Sequence, residues 1–351
     1  MEMANFLMPK NTSVSEVTDV ANADIAPTGS VSVRRGPIGD IAVAGNGTTV
    51  VTNYGDDTVA LINPDTLAVE GVVAVPGEPF AVAVSEDRAF VSTSSSNCDA
   101  VSVIDTVTQT VIATYSLAFS VTALAVSPDG KRVYAGRTGD GYIDVAVIDV
   151  TAERVGTIDV ATGAGIGIDA LAVDPTGKRM YVATTDARGS ALVTVDLETA
   201  RVERHVAVGA PIRDIAVSDG IAYVLTSDRS GGAVEVIDLA AGRITDTVEL
   251  GIGAPTQLTM SADGARAYLV DYDHIAVLCT LSREIVNRVT VDARSAGVAV
   301  DSDGNRLYVA DYSGEVTVYS DASTTPLLYS HFVATDPMRL SEARELESAT
   351  A

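Results

Sequence analysis

Hydrophobic and polar positions along the chain fall into one repeating phrase. An apolar run of four or five residues enters a polar turn, and a second apolar run leaves it. The clearest copy is Ala123-Leu-Ala-Val-Ser-Pro-Asp-Gly-Lys-Arg-Val-Tyr134. It recurs as Leu171-Ala-Val-Asp-Pro-Thr-Gly-Lys-Arg-Met-Tyr181, Leu258-Thr-Met-Ser-Ala-Asp-Gly-Ala-Arg-Ala-Tyr268 and Val298-Ala-Val-Asp-Ser-Asp-Gly-Asn-Arg-Leu-Tyr308. Three worn copies begin at Ile41, Val82 and Ile215. Aligned on Ala42, Ala83, Ala125, Ala172, Ala216, Thr259 and Ala299, the seven copies lie 41, 42, 47, 44, 43 and 40 residues apart. A period of about 40–45 residues with four strands in each copy is the pattern of propeller blades. The expected fold is therefore all-β, a seven-bladed β-propeller of four-stranded antiparallel blades.

Within the third copy the runs and turns place four strands, a to d, at about 123–126, 132–136, 144–150 and 155–160. Strand a is apolar at every position, as expected of an inner strand buried on both faces. The turn from a to b carries the Pro-Asp-Gly signal. The turn from c to d is Thr151-Ala-Glu-Arg154, with counterparts at Glu198–Arg201, Ala240–Arg243 and Asn63–Thr66. The seventh copy supplies strands a to c only, so its fourth strand must come from elsewhere. Ser30–Arg34 and Pro326–Val333 compete for that place. The N-terminal strand is favoured, because closing the ring with the other end of the chain removes an exposed sheet edge. The organisation read from the chain is thus a flexible arm over 1–29, a propeller over 30–322, and an extension over 323–351 with an extra strand at 327–332 and a short helix over 336–348. Asp336 would cap that helix and Pro337 take its first position.

The quoted phrases, together with Val50-Val-Thr-Asn53 and Ser102-Val-Ile-Asp-Thr106, resemble the YVTN-type seven-bladed propellers over about residues 30–322. Tryptophan is absent, so the Trp-Asp dipeptide of WD40 blades is absent too. The resemblance implies the fold. For activity it implies only a range, from surface-layer and binding proteins to lactonases and electron-transfer subunits. Function has to be read from a site and not from the scaffold.

Composition narrows the partners. Net charge is −24, from 47 acidic and 23 basic residues, and no basic face is concentrated enough to neutralise nucleic-acid phosphates or to favour an anionic membrane. No apolar stretch approaches the length of a membrane span, and the first residues lack the layout of a secretory signal. The chain as given reads as cytoplasmic and monomeric. Cys98 and Cys279 fall in different copies, so a disulfide is not expected.

In a propeller the d-to-a and b-to-c loops open on one face, and the a-to-b and c-to-d turns on the other. The first face varies more, and binding usually sits on variable loops of a rigid scaffold. Three groups of candidates lie there. Asp40, Asp169 and Asp214 read as equivalent residues just before strand a, where the other copies carry Ala81, Ala123, Gln257 and Gly297; they would ring the channel mouth, either holding a ligand or accepting backbone N–H groups. Arg137, Arg188 and Arg229 fall in neighbouring b-to-c loops and would receive a carboxylate or phosphate. Tyr54, Tyr272 and Tyr312 fall in the b-to-c loops of copies one, six and seven and would form an aromatic arc. His274 is the histidine on this face.

Catalytic and cofactor motifs are not found. The three histidines cannot easily meet around a metal, and there is no haem-attachment motif, nucleophile elbow, P-loop or dinucleotide fingerprint. No cofactor and no metal is expected. The function expected is a non-catalytic scaffold that binds a protein partner through the loop face. The alternative is a lactonase-like hydrolase acting on a small anionic substrate at the channel mouth, with His274, Asp169 or Asp214 as base.

Overall fold

A computed structural model describes residues 25–96, 98–117, 120–229, 231–251, 253–291 and 294–320. The expected arm up to residue 24, the extra strand and the C-terminal helix lie outside the described residues. Within them are twenty-eight strands in seven four-stranded antiparallel sheets. Six sheets are built from consecutive strands: blade one over 38–74, two over 78–117, three over 121–162, four over 167–207, five over 212–249 and six over 257–290. Blade seven takes strands a to c from 295–320, and Ala26–Ser32 pairs beside its strand c, Glu315–Ser320.

That pairing strand starts four residues before the expected Ser30. Its entry, Ala26-Pro-Thr-Gly29, looks like loop, yet Pro27 faces Tyr319 across the ladder and Thr28 is taken up in a bulge. An outermost strand tolerates this, because a missing N–H there costs no ladder bond.

The last residue of the phrase explains the alanine on which the copies align. Ala125 pairs with Tyr134, Ala172 with Tyr181, Ala216 with Tyr223, Thr259 with Tyr268 and Ala299 with Tyr308. The five tyrosines are buried in strand b, and Phe90 takes the same place opposite Ala83 in blade two. A small residue on strand a leaves room for a large one on strand b. The resulting apolar clusters straddle neighbouring blades: Tyr134 and Ile143 of blade three pack with Ile168 and Met180 of blade four. The blades are therefore joined through the same side chains that fill them.

One expectation is corrected. Strand a is not the most buried strand. In blade one every residue of strands b and c (Thr49–Asn53 and Thr58–Ile62) is buried, whereas in strand a (Ile38–Val43) only Ile38 and Ile41 are, Gly39 being exposed and the rest half-buried. Strand a lines the channel, so one of its faces meets the opening at the centre of the ring.

The turn face is closed by its own polar groups. In blade three Ser127 Oγ donates to Asp129 Oδ1, Asp129 Oδ1 accepts Lys131 N, and Ser127 Oγ accepts Arg132 N at 2.9 Å. Ser261 and Asp263 repeat this arrangement in blade six. Gly130, Gly177, Gly264 and Gly304 have φ between 66° and 69°, the left-handed conformation that a glycine enters without strain. In the c-to-d turns Asp149 and Asp105 each accept two backbone N–H groups, which holds both carboxyls below the usual carboxylate range. These acids cap turns.

Candidate functional site

The channel mouth is built from the residue two places before each aligned alanine. Counted around the ring this position carries Asp40, Ala81, Ala123, Ala170, Asp214, Gln257 and Gly297. Asp40 and Asp214 are equivalent, as expected. Asp169 is not: the strand pairing of Ala170 with Ala183 corresponds to that of Asp214 with Leu225, which leaves Asp169 one place earlier, in a bulge. A slip of one residue turns a strand side chain to the other face. Asp169 is accordingly exposed, with Thr185 Oγ1 donating to its carboxylate.

The two channel aspartates reach from blade to blade. Asp40 Oδ1 accepts Ile41 N at 2.9 Å, and its Oδ2 accepts Val82 N of blade two at 2.9 Å. Asp214 repeats the geometry, with Ile215 N at 2.8 Å and Leu258 N of blade six at 2.8 Å. Gln257 makes the same reach through its amide, Oε1 accepting Val298 N of blade seven at 2.7 Å. Its Nε2 donates to Asp40 Oδ1 at 3.3 Å, passing over blade seven. Gly297 allows this crossing, since a Cβ there would stand 3.2 Å from both Gln257 Oε1 and Ile41 Cγ2. A chain of side-chain bonds thus runs through blades five, six, seven, one and two.

Protein surrounds both carboxylates, although each keeps a part-open surface along the channel. Desolvation is the main influence on them. It raises Asp40 to about 6 against the lowering effect of its hydrogen bonds, and Asp214 to about 7 with a further push from the charge of Asp40. Among the described residues no group of three His, Cys, Asp or Glu side chains is arranged to hold a metal ion.

The three arginines do not converge. Arg137 belongs to strand b (Arg132–Thr138) and not to a loop. It pairs across the ladder with Asp144 in a bidentate bridge, Nε to Oδ1 at 2.7 Å and Nη2 to Oδ2 at 2.9 Å, and both side chains are largely buried. Its fork is already committed. Arg188 is exposed and turns back on Asp186, two residues away, at 2.9 Å. Arg229 is exposed in the b-to-c turn of blade five. His274 sits at the start of strand c in blade six with its Nδ1 2.6 Å from Asp273 Oδ1. Arg137 and Arg188, expected to receive an anion, are therefore paired with acids of the chain itself.

The tyrosines do line up, with two residues that the sequence reading passed over. Tyr272 and Tyr312 are exposed, and the Arg294 guanidinium lies over both rings, 5.1 Å and 4.8 Å from their centroids. Farther along, Tyr54 and Phe80 are exposed and meet as a tilted pair, with ring centroids 5.3 Å apart and the planes at 56°. The two pairs are joined by close backbone. A Cβ on Gly314 would stand 3.0 Å from Arg35 O, and one on Gly36 would stand 2.6 Å from Tyr54 O. The loop face therefore carries an aromatic arc over blades six, seven, one and two.

Phe80 could have been found in the sequence. The position three places before the aligned alanine reads Gly39, Phe80, Thr122, Asp169, Arg213, Thr256 and Ala296, a far more varied set than its neighbour. Six of these seven are exposed. Arg294 left no comparable signal, because it lies in a d-to-a loop whose length and composition differ from blade to blade.

No family model matches the chain. It is 35% identical over 348 residues to the Seven-bladed beta-propeller protein Rv1057 of Mycobacterium tuberculosis, with 88% of each chain covered. It is 55% identical over 328 residues to a Seven-bladed beta-propeller protein of Mycolicibacterium smegmatis, covering 93% of this chain and 89% of that one. Both names state a fold and no activity. Among solved structures it resembles a chain of Kuenenia stuttgartiensis hydrazine synthase with a TM-score of 0.73 at 20% identity, covering 83% of this chain and 97% of the other; this likeness concerns the fold alone. By its repeats, its seven sheets and these relatives, the chain belongs to the seven-bladed β-propeller proteins.

Proposed function

We propose that this propeller is a non-catalytic scaffold that binds a protein partner through its loop face, with the aromatic arc as the contact surface. The observation that carries the reading is the run of exposed aromatic and arginine side chains from Tyr272 through Arg294 and Tyr312 to Tyr54 and Phe80. Tyrosine and arginine dominate the binding energy of protein interfaces, because each adds large contact area and a polar handle at modest entropic cost. The opposite face spends its polar groups on its own turns.

The test is a capture experiment run in parallel with wild type and with Tyr54→Ser/Phe80→Ser and Tyr272→Ser/Tyr312→Ser variants. A partner held by wild type and released by both pairs of substitutions is the expected result. A partner retained by both variants at unchanged stability removes the arc from the site.

A second reading has one observation in its favour. Asp214, raised to about 7 at the channel mouth, has the proton affinity suited to a general acid or base at neutral pH. It corresponds to a hydrolase acting on a small lactone. Both Asp214 oxygens already accept backbone N–H groups, which ranks this reading second. Lactone hydrolysis by wild type above an Asp214→Asn background would promote it.

A further inference from the structure

We infer that the Tyr272–Arg294–Tyr312 stack is a carboxylate receptor, and that the partner presents an acidic segment to it. The inference rests on the loop-face reading above and adds the chemistry of the partner. Arg294 differs from the arginines that are paired with acids. Arg35 bridges to Asp56, Arg137 to Asp144, Arg179 to Glu203, Arg188 to Asp186 and Arg283 to Asp246. Among the described residues the Arg294 side chain has no such carboxylate and lies over the two tyrosine rings, while its backbone O accepts Tyr312 N at 3.1 Å.

Among the described residues, the acids beside it are committed elsewhere. Asp271 accepts Gly253 N, Ala254 N and Tyr272 N; Asp273 lies against His274; Asp311 accepts Ser313 N and Glu315 N. A guanidinium lying over two aromatic rings is restrained before binding. Its N–H edge is then free to meet a carboxylate with little further loss of freedom.

The charge of the whole protein argues the other way, since −24 repels anions. That field is screened over about 8 Å at physiological salt, whereas a carboxylate on Arg294 would sit in direct contact. The local sign therefore decides the contact. A cationic segment would have to displace Arg294 from the rings or lie beside its like charge. The length of the arc, across four blades, suits an extended acidic segment better than a single small acid.

The experiment measures fluorescence anisotropy of dye-labelled hexaglutamate with an amidated C-terminus, against hexalysine of the same length, at 150 mM salt. Wild type, Arg294→Ala, Arg294→Lys and Tyr272→Leu/Tyr312→Leu are compared, each checked by circular dichroism for an intact β fold. Expected are preferential binding of hexaglutamate and a loss of at least tenfold in Arg294→Ala. A smaller loss is expected in Arg294→Lys, which keeps the charge without the planar fork. Inorganic phosphate at millimolar concentration should compete weakly if carboxylates along a chain are the preferred ligand; full displacement by phosphate would replace the acidic segment with a free anion and overturn the inference. Equal binding in Arg294→Ala, preference for hexalysine, or binding of neither peptide would also overturn it. The loop-face reading would then still stand or fall on the capture experiment.

Discussion

Two halves of the ring solve the same packing problem differently. At the channel position of blades two, three and four stand Ala81, Ala123 and Ala170, and the basic side chains nearby are spent internally, Arg137 on Asp144 and Arg188 on Asp186. Through blades five, six, seven and one the same position carries Asp214, Gln257, Gly297 and Asp40, linked from blade to blade. Above much of this second half runs the aromatic arc. Packed alanines leave nothing at the mouth to titrate or to recognise. The laced half holds two largely desolvated, part-open carboxyls and supports the loops that expose aromatic surface. At the channel position the difference separates alanines from polar side chains that register the blades; away from it the first half is crossed as well, Asp99 Oδ2 accepting Val121 N at 2.9 Å and Thr122 Oγ1 donating to Ile168 O at 3.0 Å.

The largest effect should come from breaking the internal pair of the first half. Asp144→Ala leaves the largely buried Arg137 without its counter-charge, and removal of one partner of a buried pair typically costs about 3 kcal/mol or more. Arg294→Ala, an exposed residue of the second half, should change stability by less than about 0.5 kcal/mol. Urea denaturation of the two variants measures both. Similar losses would show that Arg137 and Arg294 do not differ as their surroundings imply.

The next effect is in pH. Asp40 and Asp214 hold their protons more tightly in the folded ring, at about 6 and about 7, than at their ordinary value of 3.8. Protonation therefore favours the fold. Their contribution is fully present below about pH 4 and is lost as pH rises through 6 and 7. Allowing for the part-open channel, the pair should make the ring less stable at pH 8 than at pH 5.5 by about 2 kcal/mol. Thermal melts at the two pH values test this. The Asp40→Asn/Asp214→Asn variant should lose most of the difference, while Ala81, Ala123 and Ala170 offer no group that would generate one.

A smaller effect follows from the glycine that lets Gln257 cross blade seven. Gly297→Ala places a methyl 3.2 Å from Gln257 Oε1 and Ile41 Cγ2, tighter than ordinary contact. The neighbours must shift, and a destabilisation of about 1 kcal/mol is expected, typical of mild overpacking. Greater stability on calorimetry would mean that the crossing is loose.

These tests also mark what was legible in the chain. The repeat phrase carried the blade count, the strand order and the turn chemistry, because each copy has to make the same a-to-b hairpin, and five of the seven bury the same tyrosine. Asp40 and Asp214 were legible as a pair. Asp169 was misplaced by one residue because a bulge changes register without changing composition. Arg137 was read as a loop residue because its strand runs farther than the apolar run does, held there by Asp144 across the ladder. Arg294 and Gln257 act through partners about 20 to more than 200 residues away, and no local pattern records such distances.

Gln257 is also where the smallest expected effect tells most about the laced half. Its Nε2 donates to Asp40 Oδ1 and favours the ionised carboxylate, while desolvation opposes ionisation. In Gln257→Leu the donor is gone and the apolar side chain dries the mouth further, so both changes move the Asp40 pKa upward from about 6. The loss of the bond to Val298 N should cost about 0.5–1 kcal/mol, close to the net value of a single hydrogen bond. Carboxyl carbon NMR titration resolves the two effects, since Asp40 should titrate at higher pH while an exposed acid such as Asp169 does not follow it. If Asp40 titrates unchanged, then Gln257 is joined to blade seven alone, and the lacing stops one blade short of blade one.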